Sequence, residues 1–128
     1  VLATMPELPA TAEPSWQFGY GRYDSEAKPL VSFAKLPHWT GSAWQGGPKL
    51  PDPTLGWVHL TATGGHPDVP ERSAVRRWIA PADGMITVNG SLQHGSQDGN
   101  GVRGRMVSSR TGLMTKSLAP MLMASSYE

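Results

Sequence analysis

The chain has 128 residues, 11 Lys and Arg against 10 Asp and Glu, four His and no Cys, and a formal net charge of +1 at pH 7. That length fits one domain, and at this size roughly 65–70% of the unfolded surface can be buried without a covalent or metal staple. The missing cysteines exclude disulfides, thiolate zinc sites, Cys nucleophiles and covalent haem, and the balanced charge argues against a nucleic-acid binder.

Fifteen Gly and twelve Pro, scattered without period, cut the chain into short segments that suit strands and turns better than helices. No apolar run approaches the length that spans a bilayer. The opening Val1–Pro6 lacks the basic start and uninterrupted apolar stretch of a signal peptide. The chain does not begin with Met, and it reads as a piece cut or processed from something longer.

Residues 1–14, rich in Pro, Ala, Thr and Glu, read as a linker. From Trp16 to Tyr23 aromatic residues alternate with small or polar ones, the period of a half-buried strand. A polar turn over 24–29 leads to a short strand at Leu30–Phe33. The stretch from Leu36 to Gly56 holds Pro37, Pro48, Pro51 and Pro53 with Gly41, Gly46 and Gly47, and is expected to carry no regular element. It nevertheless contains Trp39 and Trp44, and long loops bearing aromatics point to function.

Trp57–Ala62 alternates again and is expected as a strand, followed by a turn over 64–70. Ala74–Ala80 reads as the next strand. Asp83-Gly84 then has the chemistry of a hairpin turn, leading to a strand over Met85–His94. A second Gly-rich turn spans Asp98–Gly101, before a strand from Val102 to Ser108. Strands about ten residues apart with turns between them signal an all-β sandwich or barrel. Past Gly112 the Met- and Leu-rich segment 113–128 shows no alternation, and is expected as a short amphipathic helix or an atypical C-terminal tail. The domain proper is thus placed at residues 15–112.

Three stretches together resemble a known family: Trp16–Gly21, Pro37–Pro53 and Arg76–Gly84. They are similar to an accessory domain of planctomycete-type exported proteins that also carry cytochrome c-like, DUF1549 and DUF1553 domains. The resemblance covers about residues 15 to 112. It implies a jelly-roll-like antiparallel β-sandwich, galactose-binding-like, of the sort used by carbohydrate-binding modules. It also implies an exported parent, periplasmic or at the cell surface. It carries no catalytic residues across. Family members continue beyond the Ser108–Arg110 region with further strands, so the departure at 113–128 suggests a truncation or a shifted reading frame, with a sandwich incomplete at its C-terminus.

Five tryptophans are several times the average share, and Trp rings stack on the apolar faces of sugars through the rigid area that makes them interface anchors. Trp16, Trp57 and Trp78, inside alternating segments, are expected in the core. Trp39 and Trp44 are the ligand-contact candidates, with His38, Gln45 and Lys49 as polar partners. No metal is expected. The weak candidates are His59 and His66, which flank one turn, and Asp98 and Asn100, whose loop offers oxygens to a structural calcium ion. The arginines Arg72, Arg76, Arg77, Arg103, Arg105 and Arg110 read as solvated strand edges and ion pairs. No Gly-x-Ser-x-Gly elbow occurs, and Asp24, Glu26, Asp52, Asp68, Glu71, Asp83 and Asp98 all fall in turns or loops.

The sequence therefore reads as a non-catalytic module, binding a glycan or docking neighbouring domains of its parent, with no nucleic-acid partner and no membrane insertion. The enzymatic alternative is a small glycan-active or metal-dependent hydrolase.

Overall fold

The computed structural model describes residues 16–85, 87–88, 91–95 and 101–119. The proposed linker and the calcium candidates Asp98 and Asn100 lie outside the described residues. Within them the regular structure is β throughout, apart from one 3-10 turn at Pro70–Arg72. All strand pairs are antiparallel.

The first sheet runs β2 (Ala34–Lys35), β1 (Trp16–Gly21), β7 (Ser73–Trp78), with β1 in the middle. Full six-residue pairing of β1 with β7 sets Trp16 opposite Trp78 and Phe18 opposite Arg76. The second sheet runs β3 (His38–Trp39), β4 (Ala43–Gln45), β5 (His59–Thr61), β6 (Gly65–His66). Phe18, Tyr20 and Ala74 from the first sheet meet Trp44 and Leu60 from the second, with Leu36, Val58 and Leu55 closing the cluster. Two antiparallel sheets packed on one apolar layer make the arrangement sandwich-like, as the strand pattern predicts.

Arg76 ties the sheets at one end. Its guanidinium donates to the carbonyls of Thr61 and Gly64 in the β5–β6 turn. Arg77 donates to Gln17 Oε1 at 2.8 Å and lies 3.8 Å over the Phe33 ring. Arg72 pairs with Asp68. Arg72 thus makes an ion pair as expected, while Arg76 and Arg77 go beyond a solvated edge by bonding the β5–β6 turn and Gln17.

β8 (Val102–Ser108) and β9 (Gly112–Ala119) form a separate hairpin, with a register shift between Met106 and Val107. Arg105 stands 4.4 Å over the Tyr23 ring, which joins the hairpin to the turn after β1. Up to Ala119, β9 stands where a short helix or an atypical tail is expected, and residues 120–128 of that segment lie outside the described residues. Strand formation here follows from pairing with β8, which overrides weak local preference. Gly112, at φ 85°, supplies the positive φ that the hairpin turn needs.

Three further expectations change. The Leu36–Gly56 stretch holds two strands, because the breakers fall around the β3–β4 hairpin and Gly41, at φ 104°, turns it. The short strand expected at Leu30–Phe33 is realised directly after it as Ala34–Lys35, with a bridge between Tyr23 and Val31 before it. Among the described residues the Asp83-Gly84 hairpin is not seen, and positions 86, 89 and 90 of its expected second strand lie outside them. The described residues among 84–95 lie in no strand, Met85 is fully exposed, and β7 pairs back to β1 instead.

Candidate functional site

The β3–β4 hairpin gathers four of the five ligand candidates in register. Trp39 faces Trp44, and His38 faces Gln45. Its turn is fixed by Thr40, whose Oγ1 accepts from the amides of Ser42 and Ala43 at 3.3 and 3.1 Å, while the Thr40 amide donates to Ala43 O. The two indoles meet with centroids 5.3 Å apart and planes tilted 45°. Trp44 packs against the core, whereas Trp39 stays 51% exposed on an edge strand. Cross-strand neighbours share a face and successive residues alternate. Trp39, Trp44 and Leu60 therefore line the core side, and Trp39 carries that apolar row out to the solvent rim.

His38 and Gln45 belong to the opposite face. Gln45 is 7% exposed and its Nε2 donates to Gly47 O at 2.8 Å, so its amide holds the following loop. Lys49 is exposed in that loop. The hairpin thus brings His38, Trp39, Trp44 and Gln45 together but divides them between two faces.

That outer face carries a second row. Register places His38 opposite Gln45, Gln45 opposite His59, and His59 opposite His66. The His59 and His66 rings stack with centroids 5.8 Å apart and planes 11° from parallel. His59 Nδ1 lies 2.8 Å from Trp57 O. A carbonyl oxygen only accepts, so Nδ1 carries the proton and Nε2 keeps its lone pair. Among the described residues no group of three or more His, Asp or Glu converges.

Three of the acids, Asp24, Asp52 and Asp68, serve as loop clamps. Asp24 Oδ1 accepts from the Glu26 amide at 2.9 Å. Asp52 Oδ2 accepts from Thr54 and Leu55 at 2.9 and 2.8 Å, and its backbone pairs with Gly56. Asp68 accepts from the Trp57 amide at 3.1 Å and from Arg72 Nε at 3.0 Å. The Trp57 hydrogen bond, followed by the Arg72 guanidinium, holds the Asp68 carboxyl below the usual carboxylate range. Glu71 makes an exposed ion pair with Arg22 at 3.8 Å. The Asp24, Asp52 and Asp68 carboxylates are thus committed to backbone amides in separate loops.

Two tryptophans expected in the core are not there: Trp16 is 51% exposed and Trp57 49%. Trp16 begins β1 and continues the Phe18–Tyr20 side past the edge of the opposing sheet. Trp57 lies outside the strand, where Asp68 binds its amide. Alternation alone assigned both to the interior, since it fixes the side of a strand but not how far the facing sheet extends. Trp78, opposite Trp16, is half-buried.

No helix among the described residues is long and apolar enough to cross a membrane. No protein-family model, curated protein or solved structure matches the chain.

Proposed function

We propose that this chain is a non-catalytic binding module of an exported multidomain protein, with a jelly-roll-like sandwich, and that its ligand is a carbohydrate. The observation that carries the reading is Trp39. An indole half-exposed on an edge strand and backed by a second indole is a rigid apolar platform of the kind a pyranose face stacks on. Thr40 and Ser42, exposed at the adjoining turn, supply hydroxyls beside it. Lys49 is the polar candidate in the neighbouring loop. His38 and Gln45, on the opposite face, orient the hairpin rather than touch a sugar on Trp39. The exported setting and the parent architecture rest on the resemblance in Trp16–Gly21, Pro37–Pro53 and Arg76–Gly84.

The test is thermal unfolding followed by tryptophan fluorescence, with and without a panel of plant and algal glycans. A ligand of the native state raises the midpoint. One glycan should raise it in the native chain and leave Trp39→Ala unmoved. Equal shifts in both proteins would remove Trp39 from the site.

A second reading, docking against neighbouring domains, is favoured by one observation. Trp16, Trp39 and Trp57 each leave about half their surface in solvent, and exposed aromatics mark interfaces. It predicts that the isolated chain self-associates and that no glycan shifts its melt.

A further inference from the structure

We propose that His59 and His66 form a site for a divalent transition-metal ion on the outer face of the four-stranded sheet, taking Cu2+ in preference to Ni2+ and Zn2+. The strands themselves set the pair. His59 and His66 are direct cross-strand partners joined through the tight turn in which the Thr61 amide donates to Gly64 O at 2.9 Å. Directly opposed residues hold their Cβ atoms about 4.5–5.5 Å apart, so both imidazoles project side by side from one pinned ladder.

Two features point to metal rather than to chance stacking. The first is protonation. The hydrogen bond from His59 Nδ1 to Trp57 O places a proton on Nδ1, so that in the neutral ring the lone pair is on Nε2. This is the arrangement in which a ligating histidine is oriented by donating its other nitrogen to a carbonyl. The second is spacing. An ion holding two imidazole nitrogens at about 2.0–2.1 Å brings the ring centroids to roughly 4.5–5 Å. The rings stand at 5.8 Å with near-parallel planes. With the planes stacked the in-plane lone pairs do not yet converge. Holding one ion therefore asks His66, which is exposed and free to turn about its broad terminal torsion, to swing its ring by several tens of degrees and close the remaining gap without moving the strands.

The ligand set also selects the ion. Two neutral nitrogens with no carboxylate suit late first-row metals and not calcium or magnesium, and among those the affinity order places Cu2+ above Ni2+ and Zn2+. Asp68, two residues beyond His66, is held by Trp57 and Arg72 and is no third ligand. His38 shares the face but sits two strands from His59, roughly 10 Å away at ordinary strand spacing. The remaining coordination positions are left to water or to a donor from another molecule.

The experiment titrates the full chain with Cu2+, Ni2+ and Zn2+ salts separately by calorimetry, alongside His59→Ala, His66→Ala and His38→Ala. One equivalent of Cu2+ should bind to the native chain, and Ni2+ and Zn2+ more weakly. His59→Ala and His66→Ala should each weaken Cu2+ at least tenfold, and His38→Ala should leave it unchanged. Electron paramagnetic resonance of the Cu2+-loaded native chain should show two nitrogen ligands, a readout that does not depend on any variant folding. Unaltered Cu2+ binding in both His59→Ala and His66→Ala, an equal loss in His38→Ala, or fewer than two nitrogens in the spectrum would overturn the site.

Discussion

The two sheets share one apolar layer but treat their outer faces in opposite ways. On the three-stranded sheet the outer face is closed. Gln17, Gly19, Gly21 and Val75 are all buried there, and the Phe33 ring and the Arg77 side chain lie across it. On the four-stranded sheet Ala43 and Gln45 are buried, Gln45 holding the following loop through its own amide, while His38, His59 and His66 keep contact with solvent. An antiparallel sheet can afford one wet face once the other is packed. The closed sheet supplies rigidity, and the side chains with chemistry to offer collect on the open one.

The largest effect should come from the closed face. A Cβ at Gly19 would run into the Ala34 carbonyl oxygen and the Phe33 ring, and the obstruction is partly backbone that cannot rotate aside. Gly19→Ala should therefore cost about 3 kcal/mol, at the upper end of the usual overpacking penalty, through separation of β2 from β1. Urea denaturation would show it as a lower midpoint. An unchanged midpoint would mean that the Ser32–Lys35 segment does not seal this face.

The seam between the sheets is the next place to press. Asp68 binds the Trp57 amide just ahead of β5 and the Arg72 side chain just ahead of β7, so one carboxylate joins the entries to both sheets. Asp68→Asn should cost about 2 kcal/mol near pH 7, the usual range for hydrogen bonds to a charged group. Because the fold holds this carboxyl below its ordinary value of 3.8, the folded state resists protonation more than the unfolded chain. The stabilisation is thus complete well above 3.8 and is lost as pH falls through that value toward the lowered one. The gap between native and Asp68→Asn stabilities should stay constant from pH 7 to 5 and narrow below 4. A gap that persists undiminished at pH 3 would remove Asp68 from the seam.

How much of this was legible in the sequence follows the same division. Alternation over Trp16–Tyr23 marked β1, and the run Ala74–Ala80 between turn residues marked β7, because each strand runs six residues and is long enough to leave a pattern. Val102–Ser108 was readable for the same reason. The two- and three-residue strands β3, β4 and β6 were not, since so short a run has no period to read and depends on a turn at Gly41 or at Thr61–Gly64. β9 was hidden by Leu and Met, which do not favour strands and pair only because β8 is beside them. At the candidate site, the Trp39/Trp44 and His59/His66 pairs could be suspected from composition and turn spacing. That Trp39 and His38 point to opposite faces needed the register, which residue type does not encode.

The smallest effects make a matched pair. Arg77→Ala removes a guanidinium stacked on Phe33 and its hydrogen bonds to the buried Gln17 amide, and should cost about 1–2 kcal/mol. His66→Ala removes an exposed ring whose one described contact is the stack on His59, and should stay within about 0.5 kcal/mol of the native chain without metal. Each residue lies on the outer face of its sheet and each faces a polar partner across the ladder, Gln17 for Arg77 and His59 for His66. Position in the sheet is thus nearly matched and both side chains are exposed, and what differs is that Arg77 is held by Gln17 and Phe33 whereas His66 stacks on His59. Equal losses by thermal unfolding would show that the histidine row is packed for stability, leaving no reserve for binding. Unequal losses, with Cu2+ restoring a difference between His66→Ala and the native chain, would show a face kept loose because a ligand completes it.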